Sequence, residues 1–357
     1  MAKPFPSCGE LVGYNNAVAG HDGILSDISG ELFIKPCTPA EIDFYETSLA
    51  LHPEFMSIMP TYLGTLALDE NIPGAIESAT TSLISEKISE KTVTKSDIAL
   101  PTKTLATNGK NDSELKQSTI QREPNHGIFG NRIATNNAVV LDNISFGYCR
   151  PNILDVKLGV RLWADDAPEA KRIRFDKITA ESTHKDLGFR IAGMRVWQGP
   201  GAIGEDIDEE GYKIYDKKYG RLLKPEDMNQ SFRCFIHNDR AGASEDLSKY
   251  VANAFLNDVI QIQSQFESHE NRMFAASILF VYEGDGSVLR TAIQNARQSS
   301  PVTDKSEEND LIKPTKICSV KLIDFAHAQW TPGRGPDENT LIGVRSVVKI
   351  LREICAT

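Results

Sequence analysis

The residues of this chain best placed to do chemistry lie in Pro151-Asn152-Ile153-Leu154-Asp155-Val156-Lys157-Leu158-Gly159. In an extended backbone, Leu154, Val156 and Leu158 share one face and Asp155 and Lys157 the other. A carboxylate and an ammonium about 7 Å apart along one strand suit phosphoryl transfer. The Asp can accept or orient a hydroxyl proton while the Lys neutralises charge on the transferring group. The same alternation also describes an amphipathic strand with two solvated charges, and periodicity leaves both readings open.

A second acidic position is Asp324, at the end of the apolar run in Val320-Lys321-Leu322-Ile323-Asp324-Phe325-Ala326-His327. It resembles the Asp of the protein-kinase Asp-Phe-Gly turn, whose carboxylate holds magnesium bridging the nucleotide phosphates. An Asp after a strand is more often a turn or helix cap. A basic cluster, Lys171-Arg172-Ile173-Arg174-Phe175-Asp176-Lys177, holds four cations and one anion in a chain of net charge -10. On a helix Lys171, Arg174 and Ile178 share a face, with Lys177 at its margin. That face can be solvated or can meet a polyanion. Lys218 and Arg221, in Lys217-Lys-Tyr-Gly-Arg221, form a smaller basic group.

Positioning such groups needs a framework, and 357 residues with 40% hydrophobic content suffice for one large domain or two lobes. Strands are expected around residues 11–14 and 31–35, joined by a Gly- and Asp-rich stretch at 20–27, in an antiparallel N-terminal sheet. Thr38, Pro39 and Glu41 then read as N-cap, first helical position and capping-box partner of a helix whose apolar face is Ile42, Tyr45 and Leu49. Residues 71–135 are rich in Ser, Thr, Lys, Asn and Glu and are expected to be a mobile insertion. Ala138-Val-Val-Leu141 reads as a buried strand, residues 199–218 and 285–316 as polar loops. A long helix is expected over 245–270, a strand over 277–282, and a closing helix after Asp337 with Leu341, Val344, Val348 and Leu351 inward.

The six cysteines are widely separated, with no zinc-type spacing, which points to a reducing intracellular compartment. No apolar signal segment or membrane-spanning run is visible, so a soluble protein is expected. A pI near 5.3 argues against general nucleic-acid binding.

Pro151-x-x-x-Asp155-x-Lys157-x-Gly159 has the form of the inositol phosphate kinase signature. Ser277-Ile-Leu-Phe-Val-Tyr-Glu-Gly284 and Ile323-Asp-Phe-Ala-His327 are similar to that family's two later motifs, in the same order. Gly20-His-Asp-Gly23, Phe33-Ile-Lys-Pro36, Met59-Pro-Thr-Tyr-Leu-Gly64 and Leu187-Gly-Phe-Arg-Ile-Ala-Gly-Met194 look most like the fungal multikinases of the family.

The resemblance implies a two-lobed α+β fold, distantly protein-kinase-like, with an ATP cleft between residues 1–142 and 143–357. It assigns Lys35 to the ATP phosphates, and Asp142 and Ile144 to the hinge that meets adenine. Asp155 becomes the hydroxyl-orienting base, Lys157 the phosphate-neutralising cation, Asp324 the Mg2+ ligand, and His327 a histidine near the reacting hydroxyl. Glu41 either pairs with Lys35 or closes the capping box. Inositol phosphate-binding helices are expected over about 163–186, with Lys171, Arg174 and Lys177 as substrate contacts and Lys218 and Arg221 as a second candidate group. The implied activity is that of an ATP- and Mg2+-dependent multikinase acting on inositol trisphosphate and tetrakisphosphate in the nucleus or cytoplasm. Phosphatidylinositol bisphosphate is a further candidate substrate, and regulatory protein partners are expected. The alternatives are an inositol hexakisphosphate kinase, a trisphosphate 3-kinase or, in a different class, a non-catalytic scaffold.

Overall fold

Strand alternation builds two large antiparallel sheets that face each other across a cleft, beside one small two-stranded sheet, and the computed structural model describes residues 11–19, 23–68, 76–77, 135–298 and 316–356. The first part holds β1 (Leu11–Gly13), β2 (Leu25–Asp27), β3 (Leu32–Pro36), α1 (Pro39–Leu51), β4 (Tyr62–Leu68), β5 (Ile76–Glu77) and β6 (Asn137–Asp142). Its strands form a six-stranded sheet in the order β1-β2-β3-β6-β4-β5. Next come β7 (Pro151–Leu158), α2 (Glu169–Ala180), α3 (His184–Leu187), β8 (Phe189–Trp197), β9 (Tyr212–Tyr215), α4 (Lys217–Leu222), α5 (Met228–Ile236) and α6 (Glu245–Ser268). The chain finishes with β10 (Asn271–Met273), β11 (Ser277–Glu283), α7 (Gly286–Gln298), β12 (Cys318–Ile323), β13 (Ala328–Trp330) and α8 (Glu338–Ala356). Five of these later strands form the second sheet, β12-β11-β7-β8-β9, with β7 at its centre.

The apolar face of that central strand explains the packing. Leu154, Val156 and Leu158 are fully buried against the same core as Phe255 and Val259 of α6 and Val344 and Val348 of α8. The opposite face of β7 is thereby turned toward the first sheet. The long helix and the closing helix form as their spacing predicts, and Leu341, Val344, Val348 and Leu351 are all buried. Helix α1 joins the two halves: Phe44 stacks on Phe325 and Trp330, with ring centroids 5.1 and 5.2 Å apart.

Three expectations about elements change. The inward face of α1 is Glu41, Phe44, Tyr45 and Ser48, while Leu49 is 55% exposed. The helix rotates because its first turn is pinned inward by Glu41 rather than by an apolar residue. The expected loop at 199–218 contains β9 and the start of α4, since Tyr212 packs with Trp197 in a small apolar cluster. The expected loop at 285–316 begins as α7, whose N-terminus is capped by the Asp285 carboxylate and which buries Leu289, Ala292 and Ile293. The mobile insertion expected over 71–135 lies, apart from β5 and Thr135, outside the described residues, as do Gly20, His21 and Asp22 of the first motif.

The buried Asp337 anchors α8: its carboxylate accepts from Met273 N at 2.7 Å, Thr340 Oγ1 at 2.9 Å and Thr340 N at 3.3 Å. Asp337→Ala removes a cap and orphans a buried amide, so unfolding free energy should fall by about 2 kcal/mol or more. Urea denaturation reads this directly, and a loss under about 0.5 kcal/mol would mean that the carboxylate is dispensable.

Candidate active site

The polar face of β7 meets the end of β12 at the base of the cleft. Asp155 is only 5% exposed, and its Oδ1 is a buried oxygen with no hydrogen-bond partner among the described residues, although the Ser277 hydroxyl lies close enough to favour the ionised carboxylate. Burial pushes its carboxyl pKa up; Lys157 opposes this and the nearby Asp324 adds to it. Lys157 donates to the carbonyl of Ala275 at 2.9 Å and lies 3.7 Å from the Asp324 carboxylate. Ala275 and Asp324 are the two non-glycine residues with left-handed backbone among those described, with φ of 60° and 69°. Such conformations persist where the surroundings dictate them. Here they turn one carbonyl and one carboxylate toward the same ammonium.

Lys35 on β3 supplies the facing cation. Its ammonium donates to Asp324 at 2.7 Å and to Glu41 at 2.8 Å. Burial disfavours its charge, but the two carboxylates outweigh that cost and hold its pKa above the ordinary lysine value. Thr38 does cap α1, accepting from Glu41 N at 3.3 Å. The Glu41 carboxylate does not return to the cap; it takes Lys35 and the backbone amide of Phe325, at 3.2 Å. Of the two roles open to Glu41, the structure selects the lysine pair, as the aromatic seat of α1 holds its first turn against the second sheet.

Above these charges a mainly apolar pocket is lined by Val18, Phe33, Leu141, Ile153, Leu279 and Ile323, and at its inner end by Lys35, Asp155 and Asp324. Asp142 and Ile144 lie on its wall. The Asp142 carboxylate is occupied by Thr61 N, and its own amide donates to Thr61 O at 3.0 Å. One side is closed by residues 14–19. Tyr14 Oη sits 3.0 Å from Ser145 Oγ, Asn16 accepts from Arg195 at 3.1 Å, and Val18 O lies against Gly193. A Cβ at Gly193 would come 2.1 Å from that oxygen, so only glycine admits the segment.

Of the three cations expected on α2, Lys171 is carried to the reaction centre: its ammonium donates to His327 Nε2 at 3.1 Å. Burial lowers the pKa of His327, and Lys171 lowers it further, so the ring is a neutral acceptor. Arg174 and Lys177 are exposed, and their contacts stay local. Arg174 lies 5.0 Å from the Phe175 ring, and Lys177, 72% exposed, lies 3.8 Å from Glu181. Lys218 and Arg221 are exposed on α4, which packs over β8. Sequence reasoning did not single out Tyr14, Asn16, Ser145 or Arg190. A buried Arg in an apolar strand, as at Arg190, is the one signal among them that a closer reading could have used.

The donor set suits a divalent ion shared with phosphates. Among the described residues no group of three or more His, Cys, Asp or Glu could cage a metal, whereas Mg2+ at nucleotide sites takes one or two carboxylates and fills its other positions with phosphate and water. Asp324 is the candidate ligand.

An apolar pocket between two sheets, ending in a lysine–carboxylate pair, an acid on a central strand and a cationic helix, defines a two-lobed phosphotransferase. The chain belongs to the inositol polyphosphate kinase family, whose profile matches residues 138–352. It is a kinase. It is 27% identical to the inositol polyphosphate multikinase of Saccharomyces cerevisiae, over 93% of this chain and 95% of that one. Similarity to the Schizosaccharomyces pombe inositol polyphosphate multikinase is 25%, over 92% of each. The mouse inositol hexakisphosphate kinase 3 is 32% identical, over 60% of this chain and 50% of its own length. The crystal structure of the S. cerevisiae inositol phosphate multikinase Ipk2, in complex with ADP and Mn2+, is similar in fold. It has a TM-score of 0.60 and 27% identity, covering 91% of this chain and 99% of that one.

The raised pKa of Asp155 fixes the sign of a stability effect. A carboxyl whose folded pKa exceeds its unfolded value of about 3.9 costs the folded state stability once it ionises. That cost is absent below the unfolded pKa and complete above the folded one. Asp155→Asn should therefore inactivate the enzyme yet melt no lower than wild type at pH 7, with the difference closing near pH 4. Thermal melts at the two pH values check this. A variant markedly less stable at pH 7 would show that the carboxylate is satisfied in the fold.

Proposed function

We propose that this chain is an ATP- and Mg2+-dependent inositol polyphosphate multikinase that phosphorylates hydroxyls of inositol trisphosphate and tetrakisphosphate. The observation that carries the reading is the Lys171–His327 contact. It sets a cation of the exposed basic helix at the same end of the cleft as Asp155, Lys157 and Asp324, where an acceptor must lie. The full-length match to two fungal multikinases supports this over the hexakisphosphate kinases, which match 60% of the chain. The higher local identity of hexakisphosphate kinase 3, 32% for the mouse protein, keeps hexakisphosphate as the second reading.

In this mechanism Asp155 orients the acceptor hydroxyl and takes its proton through Oδ1, a buried oxygen with no hydrogen-bond partner among the described residues. Lys157 and Lys35 offset negative charge that develops on the transferred group. The neutral His327 ring accepts from Lys171 through Nε2 and so holds that ammonium in place, which leaves its Nδ1 N–H as a donor. Asp324 would hold Mg2+, which supplies charge neutralisation at the nucleotide phosphates. Residues 14–19 and the apolar wall exclude water from the nucleotide side. We assign residues 1–142 to the N-terminal lobe and 143–357 to the C-terminal lobe. An intracellular site, nuclear or cytoplasmic, accords with the wide spacing of the cysteines. Phosphatidylinositol bisphosphate presents related chemistry and belongs in the assay.

Purified chain with ATP, Mg2+ and a panel of inositol phosphates and lipid, with product positions assigned by NMR, tests the proposal. Hexakisphosphate as the preferred acceptor would transfer the assignment to the second reading, and no turnover would reject both. One charge-assisted phosphate contact contributes roughly 1.5 to 3 kcal/mol, so Lys171→Ala should lower kcat/KM for inositol trisphosphate by about 10- to 150-fold with the KM for ATP nearly unchanged. Arg174→Ala should cost less and Lys177→Ala least. Equal losses on every acceptor, including those lacking one phosphate, would remove Lys171 from the acceptor site.

A further inference from the structure

Directly opposite residues on antiparallel strands project from the same face of a sheet. Ser277 pairs with Lys157, and Lys157 with Arg190, so these three form one row across β11, β7 and β8 on the face that carries Asp155. The ladder between β7 and β8 slips beside this row: Asp155 faces Gly193 and Val156 faces Ile191, leaving Ala192 as an extra residue. Arg190 is 7% exposed. Its Nη1 donates to Ile191 O at 2.9 Å, and its Nε is buried without a partner among the described residues.

Helix α4 covers this guanidinium. A Cβ on Gly220 would fall 1.8 Å from Ile191 O and 3.4 Å from Arg190 Nη1. The next residue, Arg221, is a second cation, and it repels the first. Burying a guanidinium beside another cation is costly unless an anion answers it. The anion that acts on Arg190 is Asp155. Burial and Arg221 bring the Arg190 pKa down to about 10 while Asp155 opposes them, and Arg190 in turn favours the ionised Asp155. The other groups facing Asp155 are the Ser277 hydroxyl, Asp324, and Lys157, which already serves Ala275 O and Asp324.

We infer that Arg190 is a positioning residue, the fixed buried counter-charge that holds the Asp155 carboxylate in place for the acceptor hydroxyl. The inference rests on the proposed role of Asp155, and α4 is the clamp that keeps the guanidinium seated.

The test uses the full chain with Arg190→Met and Arg190→Lys, each made alone and with Asp155→Asn. Arg190→Met should lower kcat by about tenfold or more, equivalent to about 1.4 kcal/mol or more of transition-state stabilisation. The KM values for ATP and inositol trisphosphate should stay within about twofold of wild type, and Arg190→Lys should recover most of the loss. In thermal melts, Arg190→Met should lower Tm when Asp155 is present and should not lower it in Asp155→Asn. An equal drop in both backgrounds would reduce Arg190 to packing. A raised KM for inositol trisphosphate with kcat intact would make it a phosphate contact instead, and either result overturns the inference. If Arg190→Met does not fold, Arg190→Lys in the two backgrounds decides, and equal effects overturn it. A wild-type chain that turns over no inositol phosphate would fail the proposed function, while the melts would still read the Arg190–Asp155 coupling.

Discussion

The buried ammonium of Lys35, held between Glu41 and Asp324, is the interaction on which the rest of the structure depends. Two of its members belong to the first sheet and its helix, the third to the end of β12, so a single cation joins the two halves of the molecule. Removing one member of such a group leaves an uncompensated buried charge, at a cost of roughly 3–5 kcal/mol. The halves are therefore fixed relative to one another at the place where the proposed function puts the nucleotide phosphates. Glu41 strengthens the tie by accepting from Phe325 N, and Phe325 is fully buried between Phe44 and Tyr45. Apolar packing orients α1, and the oriented α1 places the carboxylate. Neither suffices alone.

Strand geometry then allows one segment to act as core and as catalyst. Every second residue of β7 is committed to the packing against α6 and α8, which leaves Asp155 and Lys157 no choice of direction. The bulge opposite Asp155 and the glycine at position 193 make room for residues 14–19, so the same stretch of β8 that limits the catalytic face also closes the nucleotide pocket. Left-handed backbone at Ala275 and Asp324 completes the arrangement by aiming both partners of Lys157 inward.

What could be read in the sequence was local. The helix cap at Thr38, the alternation of β7 and the spacing of α8 each involve neighbours within a few residues, where periodicity and cap chemistry are informative. The face of α1 was misread because Glu41 is buried by a partner far along the chain, which makes the exposed Leu49 look like the better core residue. Helix α7 was hidden by its polar residues, since Leu289, Ala292 and Ile293 are the whole of its hydrophobic stripe. Lys35 and Asp324 lie 289 positions apart, and Lys171 and His327 lie 156 apart. No spacing rule spans such distances. The family motifs put Lys35 and Asp324 in one cleft, whereas Arg174 and Lys177 were placed by helix periodicity together with the position of the family's substrate-binding helices, and these give a face without saying what each side chain meets.

The acceptor side follows a different economy from the nucleotide side. Helix α2 has no buried side chain, so apolar burial cannot hold it. It is tied instead by polar bonds: Trp163 Nε1 to Asp176 at 2.6 Å, Thr179 Oγ1 to Val160 O at 2.9 Å, and Arg172 Nε to Ala167 O at 2.6 Å. Under the proposed function, a helix that offers cations to a polyanion cannot also bury them, because desolvation would weaken the charges before the ligand arrived. Keeping Lys171 at the edge, with a neutral histidine as its hydrogen-bond partner among the described residues, leaves most of its donor capacity available. An acidic protein of net charge -10 can in this way present a locally positive rim without raising its overall charge. On that proposal, long-range attraction of a polyanion would be weak, and recognition would depend on short contacts that a ligand with correctly spaced phosphates can make.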